Sequence, residues 1–533
     1  MYRWLTLSLL LFFSVVGFSQ SCSPTTPSES LPSESISHPE SEPSTQETSP
    51  ERSKEPTTEP SIPDESVQVE PAVEMDASSN NDVGQEPPLP ESEKEEPPEP
   101  NIPATWAVAL GQDADDILGT QIVIDATQHI FIAGRFRGKT RLGNRILQAP
   151  NDFDGFVSKL SPQGQVLWTL HLAGKGLQDV RDLHVLPSGD LLVTGNFTQE
   201  LKVATQSRVA TQGGCFLFRV TPQGSMKWFV QAGGMGADLG QALVSDAQDN
   251  IYLLGSFTGT SRFGTFTITQ NGLYDLFVAK LDSSGTFQWV TTTQGSATST
   301  ATDLTRDSKG NLYLVGQFVA DIKLGTLSLE SNQADMVLAK LSPKGDFLWA
   351  KATSGDGLAV PHHILLDTNQ NLTVIGEVEG SKVFGSTKLQ QPRHGDIFVT
   401  QLNTKGEFLW VKKNTGTNVH IHPYGASQSP SGHIVIAGEY DGKPTFDKQV
   451  FPMATEFQAF FLAVSPKGEF LASTTTQHSK PIHGRVAAHD SQGNLYLLGE
   501  FVESAQFDKI SLQPGGQQTY MFVWKRPPLI ASP

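Results

Sequence analysis

Cysteine is nearly absent from this chain. Only Cys22 and Cys215 occur among 533 residues, so no disulfide framework is available, and nothing follows about compartment because a core of this size needs no staple. Aromatic side chains are missing throughout residues 23–103, which hold 17 of the 34 prolines. Such a segment cannot bury enough apolar surface to offset the entropy of ordering itself, and it is expected to be a disordered linker. Long apolar runs are scarce too. The longest uncharged stretch of this kind, Leu5 to Phe18, covers 14 residues, short of the roughly 20 that span a bilayer. Also missing, between the strand-like segments from Thr105 onward, is any ten-residue stretch of helical periodicity, which excludes the helices a parallel α/β fold would need. No Gly-x-Ser-x-Gly elbow, Walker loop or dinucleotide fingerprint occurs.

At the N-terminus, Arg3 precedes the apolar stretch and the small residues Ser19 and Ser21 follow it, the pattern of a secretory signal peptide over residues 1–21. Cys22 stands directly after Ser21, and this stretch resembles the bacterial lipobox, which ends in a cysteine that carries a diacyl group. Ser19 takes the place where that pattern has Leu, so ordinary cleavage after Ser19 or Ser21 is the alternative. Lipidation at Cys22 would make the membrane a partner through an N-terminal anchor. The expected location is the cell envelope: an outer-membrane lipoprotein facing the surface or the periplasm, or a secreted protein if Cys22 is not modified.

The linker, residues 22–103, carries 20 acidic and 3 basic residues. The net charge of −18 is therefore almost entirely its own, and it describes a self-repelling spacer rather than the folded part. Beyond it stand 36 acidic and 34 basic residues, without the basic excess that phosphate contacts favour, so nucleic acid is not an expected partner.

From Thr105 onward the sequence repeats. Trp106, Trp168, Trp228, Trp289, Trp349 and Trp410 recur every 60 to 62 residues, and Ala472 takes the next place. Gly134, Gly195, Gly255, Gly316, Gly376, Gly438 and Gly499 form a second series, each followed two residues later by Phe, Val or Tyr. In the third unit, Ala242–Ser245, Ile251–Phe257, Leu276–Leu281 and Phe287–Thr292 read as four strands. A polar turn joins the first two, a polar connection the next two, and a tight hairpin at Asp282–Gly285 the last two. Four short antiparallel strands repeated in this way predict an all-β, seven-bladed β-propeller over residues 104–528 with a tail at 529–533. The repeats begin on a fourth strand, Thr105–Leu110, and stop after a third, Tyr520–Lys525. The N-terminal strand is thus expected to complete the last blade and close the ring.

These repeats resemble the bacterial seven-bladed β-propeller repeat family of secreted and cell-surface proteins. The shared features are the Asp-x-x-x-Asn turns (Asp246 to Asn250, Asp307 to Asn311, Asp367 to Asn371, Asp490 to Asn494), the Gly-x-Phe that follows, and an Asp ahead of the third strand (Asp154, Asp275). Units two and six depart from the pattern. Leu186 and Ser429 replace the turn Asp, and Gly214 and Gln458 replace the later one. The resemblance implies a surface-exposed propeller and brings no catalytic residues.

Repeated Asp and Asn residues are expected to form turns rather than sites. Calcium would need a denser loop of oxygen ligands than Asp113, Asp115 and Asp116, or Asn151, Asp152 and Asp154, provide. Residues that break the repeat are better candidates. His362, His363, His420, His422 and His483 crowd units five to seven, on connections that enter the innermost strand, and mark one channel mouth as the expected ligand face. No metal, cofactor or catalytic residue is expected, and Cys215 reads as a buried free thiol. The leading expectation is a monomeric, non-catalytic binding or adhesion module for a protein or glycan. The alternatives are a periplasmic scaffold for envelope assembly and a polysaccharide hydrolase or lyase working at the mouth. A radioactive fatty acid fed to cells should label the wild-type chain and leave Cys22→Ala unlabelled; an unlabelled wild type would mean simple secretion.

Overall fold

In the computed structural model, every regular element among the described residues is a β-strand. The structure describes residues 105–530 apart from 235, 297, 332, 430, 516 and 517; the expected signal peptide, Cys22 and the linker lie outside them. The third unit shows how sequence sets local structure. Ile251–Phe257 is apolar and β-branched or aromatic almost throughout, and all of it is buried, as a strand covered on both faces must be. It pairs antiparallel with Leu239–Ser245 on one side and Asp275–Leu281 on the other, and Phe287–Thr292 closes the outer edge. The first strand starts earlier than the apolar pattern suggests because a bulge between Gly240 and Ala242 lets it continue past the break in alternation.

Five such four-stranded meanders stand as separate sheets. Two further first-to-fourth meanders, in residues 112–173 and 178–234, run together in one ten-stranded sheet. Leu172 and Ala173 pair with Val203 and Lys202, and Gly233 and Gly234 pair with Arg262 and Ser261. First strands of successive units lie against one another, and Ile482–His489 in turn lies against Gln112–Ile124, giving a propeller-like arrangement about a common axis. The last meander takes its fourth strand from the chain's beginning: Trp106 pairs with Lys525, Val108 with Val523 and Leu110 with Met521. Leu529 and Ile530 pack against the apolar cluster beside that strand.

The recurring tryptophans explain their own spacing. The indole of Trp168 lies over Gly224, in the hairpin between the third and fourth strands of the next unit, where an added Cβ would come within 3.0 Å of the ring. Trp228 covers Gly285, Trp289 covers Gly345, Trp349 covers Gly406 and Trp410 covers Gly468 in the same way. Trp106, on the N-terminal strand, covers Gly164. All six glycines have φ between 81° and 90°, so both the ring above and the backbone beneath require glycine. The indole nitrogens of Trp168, Trp228 and Trp349 donate to the carbonyls of Pro222, Ser283 and Thr404 in those hairpins, at 3.0, 3.1 and 3.2 Å. Ala472 lacks a ring because the unit after it has no such hairpin; its fourth strand arrives from the other end of the chain.

The repeated aspartates behave as turn formers. Asp246 Oδ1 accepts the amides of Gln248 and Asn250, while its Oδ2 accepts Asn250 Nδ2 and the Tyr252 hydroxyl. In units two and six the backbone turn persists without Asp, closed by Leu186 N to Asp190 O and Ser429 N to His433 O, each 2.8 Å. Cys215 is a buried free thiol, and burial pushes its pKa up to about 12.

The polar connection expected between second and third strands is instead an outer hairpin. Thr260–Phe263 pairs with Phe266–Thr269, and elsewhere the two long strands simply run on into the same turn. The turn residue has positive φ at Gly143, Ala204, Gly264, Gly325, Gly385, Asp447 and Asp508. The residue before it, Leu142, Val203, Phe263, Leu324, Phe384, Phe446 or Phe507, is fully buried. In the short hairpins only two alternate side chains of the first strand turn inward, as with Ile322 and Leu324 or Ala505 and Phe507, and a pattern so short reads as loop.

Trp106→Ala should remove an inter-unit contact and weaken ring closure together, lowering unfolding free energy by about 3 kcal/mol, as for other buried tryptophans. Denaturant titration checks this, and a loss no larger than that of an exposed surface substitution would contradict the docking role.

Candidate functional site

The mouth is built from two slots of each unit, both at the end away from the Asp-x-x-x-Asn turns. The first lies on the innermost strand beside its bulge; the second is the residue after the repeated Gly of the second strand. Around the ring the second slot holds Arg135, Asn196, Ser256, Gln317, Glu377, Glu439 and Glu500. The three glutamates fall in consecutive units, and the innermost strands supply their partners. His362 Nε2 and His422 Nδ1 both donate to Glu377 Oε1, at 3.2 and 3.0 Å. His483 Nδ1 donates to Glu439 Oε2 at 2.6 Å. Arg485 Nε donates to Glu500 Oε2 at 2.9 Å and its Nη1 lies 3.5 Å from Glu439. Glu500 Oε1 accepts the Gly119 amide of the first unit at 2.9 Å, so the network crosses the closure of the ring.

Aromatic rings fill the spaces between. Tyr424 stacks on His422, with centroids 5.5 Å apart at 13°, and carries the Arg485 guanidinium 5.1 Å from its centre. Phe457, half-buried, stands between His422 and His483 at 6.1 and 5.9 Å. Burial alone would raise the Glu377 carboxyl; the bonds from His362 and His422 outweigh it and hold the group well below the usual carboxylate range. Glu439 is likewise lowered, against burial, by His483 and Arg485. His422 is raised: burial opposes its charge, but Glu377 in contact and Glu439 nearby prevail over Arg485. Glu500 goes the other way, pushed up by burial that Arg485 only partly offsets.

The structure thus brings together three of the five expected histidines, His362, His422 and His483. His363 faces deeper into the channel, where its Nδ1 lies 3.5 Å from Asp303 and its Nε2 donates to the Tyr424 carbonyl at 2.9 Å. Asp303 Oδ2 also accepts the Ile364 amide at 3.0 Å. Nearby Asp182, pushed up to about 8 by burial with Asp303 adding to the effect, accepts from Gln121 and the Leu243 amide. His420 stays outside the cluster: it is 58% exposed and pairs with Asp441. Glu377, Glu439, Glu500, Arg485, Tyr424 and Phe457 escaped the sequence reading. The signal for the glutamates was present in the residue after each repeated Gly, where only units five to seven carry Glu. Among the described residues no three His, Cys, Asp or Glu side chains gather into a metal-holding group.

Two further histidines join units at the opposite end of the innermost strands. His184 Nε2 bonds Ser245 at 2.8 Å, and His489 Nδ1 bonds Ser427 at 2.6 Å. Burial pushes both down to about 4.

No family model matches the chain. An uncharacterized WD repeat-containing protein of Acanthamoeba polyphaga mimivirus is 22% identical over 270 residues, covering 42% of this chain and 19% of its own. This chain therefore spans about a fifth of that relative. A protein of unknown function from Dyadobacter fermentans is 12% identical with a TM-score of 0.39, over 80% of this chain and all of that one. Virginiamycin B lyase from Staphylococcus aureus is 9% identical with a TM-score of 0.30, over 79% and 99%. At these values the architecture rests on the strand pairing itself.

Two sets of groups make contributions to stability that are lost in acid. His184 and His489, depressed in the fold, stabilise it above about pH 6.5 and lose that contribution as pH falls towards 4. Glu377 and Glu439, also depressed, add a loss below about pH 4.5. Asp182, His422 and Glu500, raised in the fold, act with the opposite sign, so the test is a difference: the melting temperature of His489→Gln relative to wild type should rise as pH falls from 7 to 4, and an unchanged difference would remove His489 from the account.

Proposed function

We propose that this chain is a lipid-anchored, seven-bladed β-propeller that works as a non-catalytic binding module at the cell envelope, with the mouth of units five to seven as its ligand face. The blade count takes the ten-stranded sheet as two blades bridged at their outer edges, supported by the first-to-fourth pairing within residues 112–173 and 178–234. Anchoring at Cys22 and display on a linker are supported by the leader and by the composition of residues 23–103.

One observation carries the functional reading. In three consecutive units of the repeat, three glutamates, three histidines, Arg485 and two aromatic rings converge on the same mouth. Structure alone does not require this, because units one to four close the same slots with Arg135, Asn196, Ser256 and Gln317. Exposed and half-buried polar groups around aromatic rings are what ligand faces are made of.

A second reading, a polysaccharide hydrolase or lyase, is favoured by the histidine–glutamate pairs, since a carboxylate behind an imidazole makes it a better base. Each glutamate of the cluster already accepts from a histidine or from Arg485, which places binding first. The full chain immobilised on beads should capture a partner from solubilised envelopes, and His422→Ala with His483→Ala should lose it. Capture unaffected by that double variant would move the ligand face elsewhere. Protease treatment of intact cells locates the module: digestion means surface display, and protection means a periplasmic role such as a scaffold.

A further inference from the structure

From the way the mouth histidines are bonded, we infer that this face takes an uncharged glycan, held by its hydroxyl groups, and releases it in acid. The inference rests on the mouth being the ligand face. His422 and His483 each commit Nδ1 to a glutamate, and His362 commits Nε2. A carboxylate accepts only, so the committed nitrogen must carry the proton. In the neutral ring the remaining nitrogen, Nε2 of His422 and of His483 and Nδ1 of His362, is then a bare lone pair. The mouth therefore offers fixed acceptors and asks its ligand for donors.

Charge narrows the class. With neutral histidines, Glu377, Glu439 and Glu500 outnumber Arg485, and an anionic sugar would meet net repulsion. Phe457 supplies the apolar part: the ring is half-buried between the two imidazoles, and a pyranose laid with its C–H face on it would bring hydroxyls towards the nitrogens on either side. Tyr424, stacked on His422 beneath Arg485, fixes that imidazole in place. A sugar brings several hydroxyl donors at short spacing, which suits acceptor nitrogens placed on either side of one aromatic ring.

Protonation reverses the polarity of the site. Burial opposes charge on His422, but the groups facing it are Glu377, Glu439 and Arg485, with His362 sharing Glu377 Oε1 and Tyr424 and Phe457 against its ring, and the glutamates prevail to favour the imidazolium. When His422 takes up a proton its Nε2 becomes a donor and the acceptor is lost. Glu377 acts here as a positioning residue: it sets the tautomer and raises the pH at which the change occurs.

Calorimetric titration of the full chain with cellohexaose, maltohexaose and chitohexaose, beside a galacturonate hexamer, tests this. At least one neutral hexamer should bind at micromolar concentrations, the galacturonate hexamer at least tenfold more weakly. Phe457→Ala should weaken binding at least tenfold with its melting temperature preserved. Binding should fall on acidification, and Glu377→Gln should move that fall to lower pH. The inference is overturned if no neutral hexamer binds, if the galacturonate hexamer binds as well as the neutral ones, or if the acid fall is the same in Glu377→Gln. Two outcomes separate it from the reading beneath. An envelope protein captured by the wild type and lost in the His422 and His483 double variant would sink the glycan while keeping the mouth. Sugar binding untouched by both Phe457→Ala and the double variant would sink the mouth itself.

Discussion

A tryptophan laid on a glycine is the contact from which the rest of the architecture follows. At six places an outer strand presents an indole to the next unit's last hairpin, and the two can touch only because the hairpin has no side chain there and turns with positive φ. The contact fixes the angle between neighbours, and repeating one angle six times brings the innermost strands round to meet. It also explains why Trp106 belongs to the closing strand. That residue pairs with the last unit through its backbone and covers Gly164 of the first unit with its ring, joining the two ends of the series in one short segment.

Around this contact the repeat adds a second layer. Lys159, Lys280, Lys340 and Lys525 extend over the rings of Phe131, Tyr252, Tyr313 and Tyr496 at 4.9 to 5.4 Å, and Phe131, Tyr252, Tyr313 and Tyr496 in turn meet the tryptophans Trp168, Trp289, Trp349 and Trp106. The lysine of the third-strand pattern is thus a packing residue: its stem lies along an aromatic face and its charge sits over the ring. Unit two solves the same problem differently, with Arg219 held between Asp190 and Asp249 at 2.6 and 2.8 Å. This is why it tolerates Leu186 where its neighbours have Asp.

Much of this was legible in the sequence because it repeats. The strands of the third unit, Ile251–Phe257 and Phe287–Thr292, fall where β-branched and aromatic residues put them, and the missing fourth strand at the C-terminus pointed straight to Thr105–Leu110. The outer hairpins were not legible, since a three-residue strand such as Ile322–Leu324 is too short for alternation to register. The mouth was half legible. Histidines stand out against a repeat, whereas Glu377, Glu439 and Glu500 look like ordinary surface residues until the register sets each beside an imidazole. His420, two residues before His422 on the same strand, ends on Asp441 instead because the register sets it opposite Asp441, while His422 lies opposite Glu439.

The closing strand also dictates when the molecule can exist. Trp106–Leu110 is synthesised long before its partner, Thr519–Arg526. A nascent chain therefore waits, with one strand unpaired, until that partner appears. The ring cannot lock by accretion, unit by unit; it locks in one late step that joins two distant segments. A chain that stops short of Thr519 would keep an open edge on the last unit, with Trp106–Leu110 left without a strand to pair.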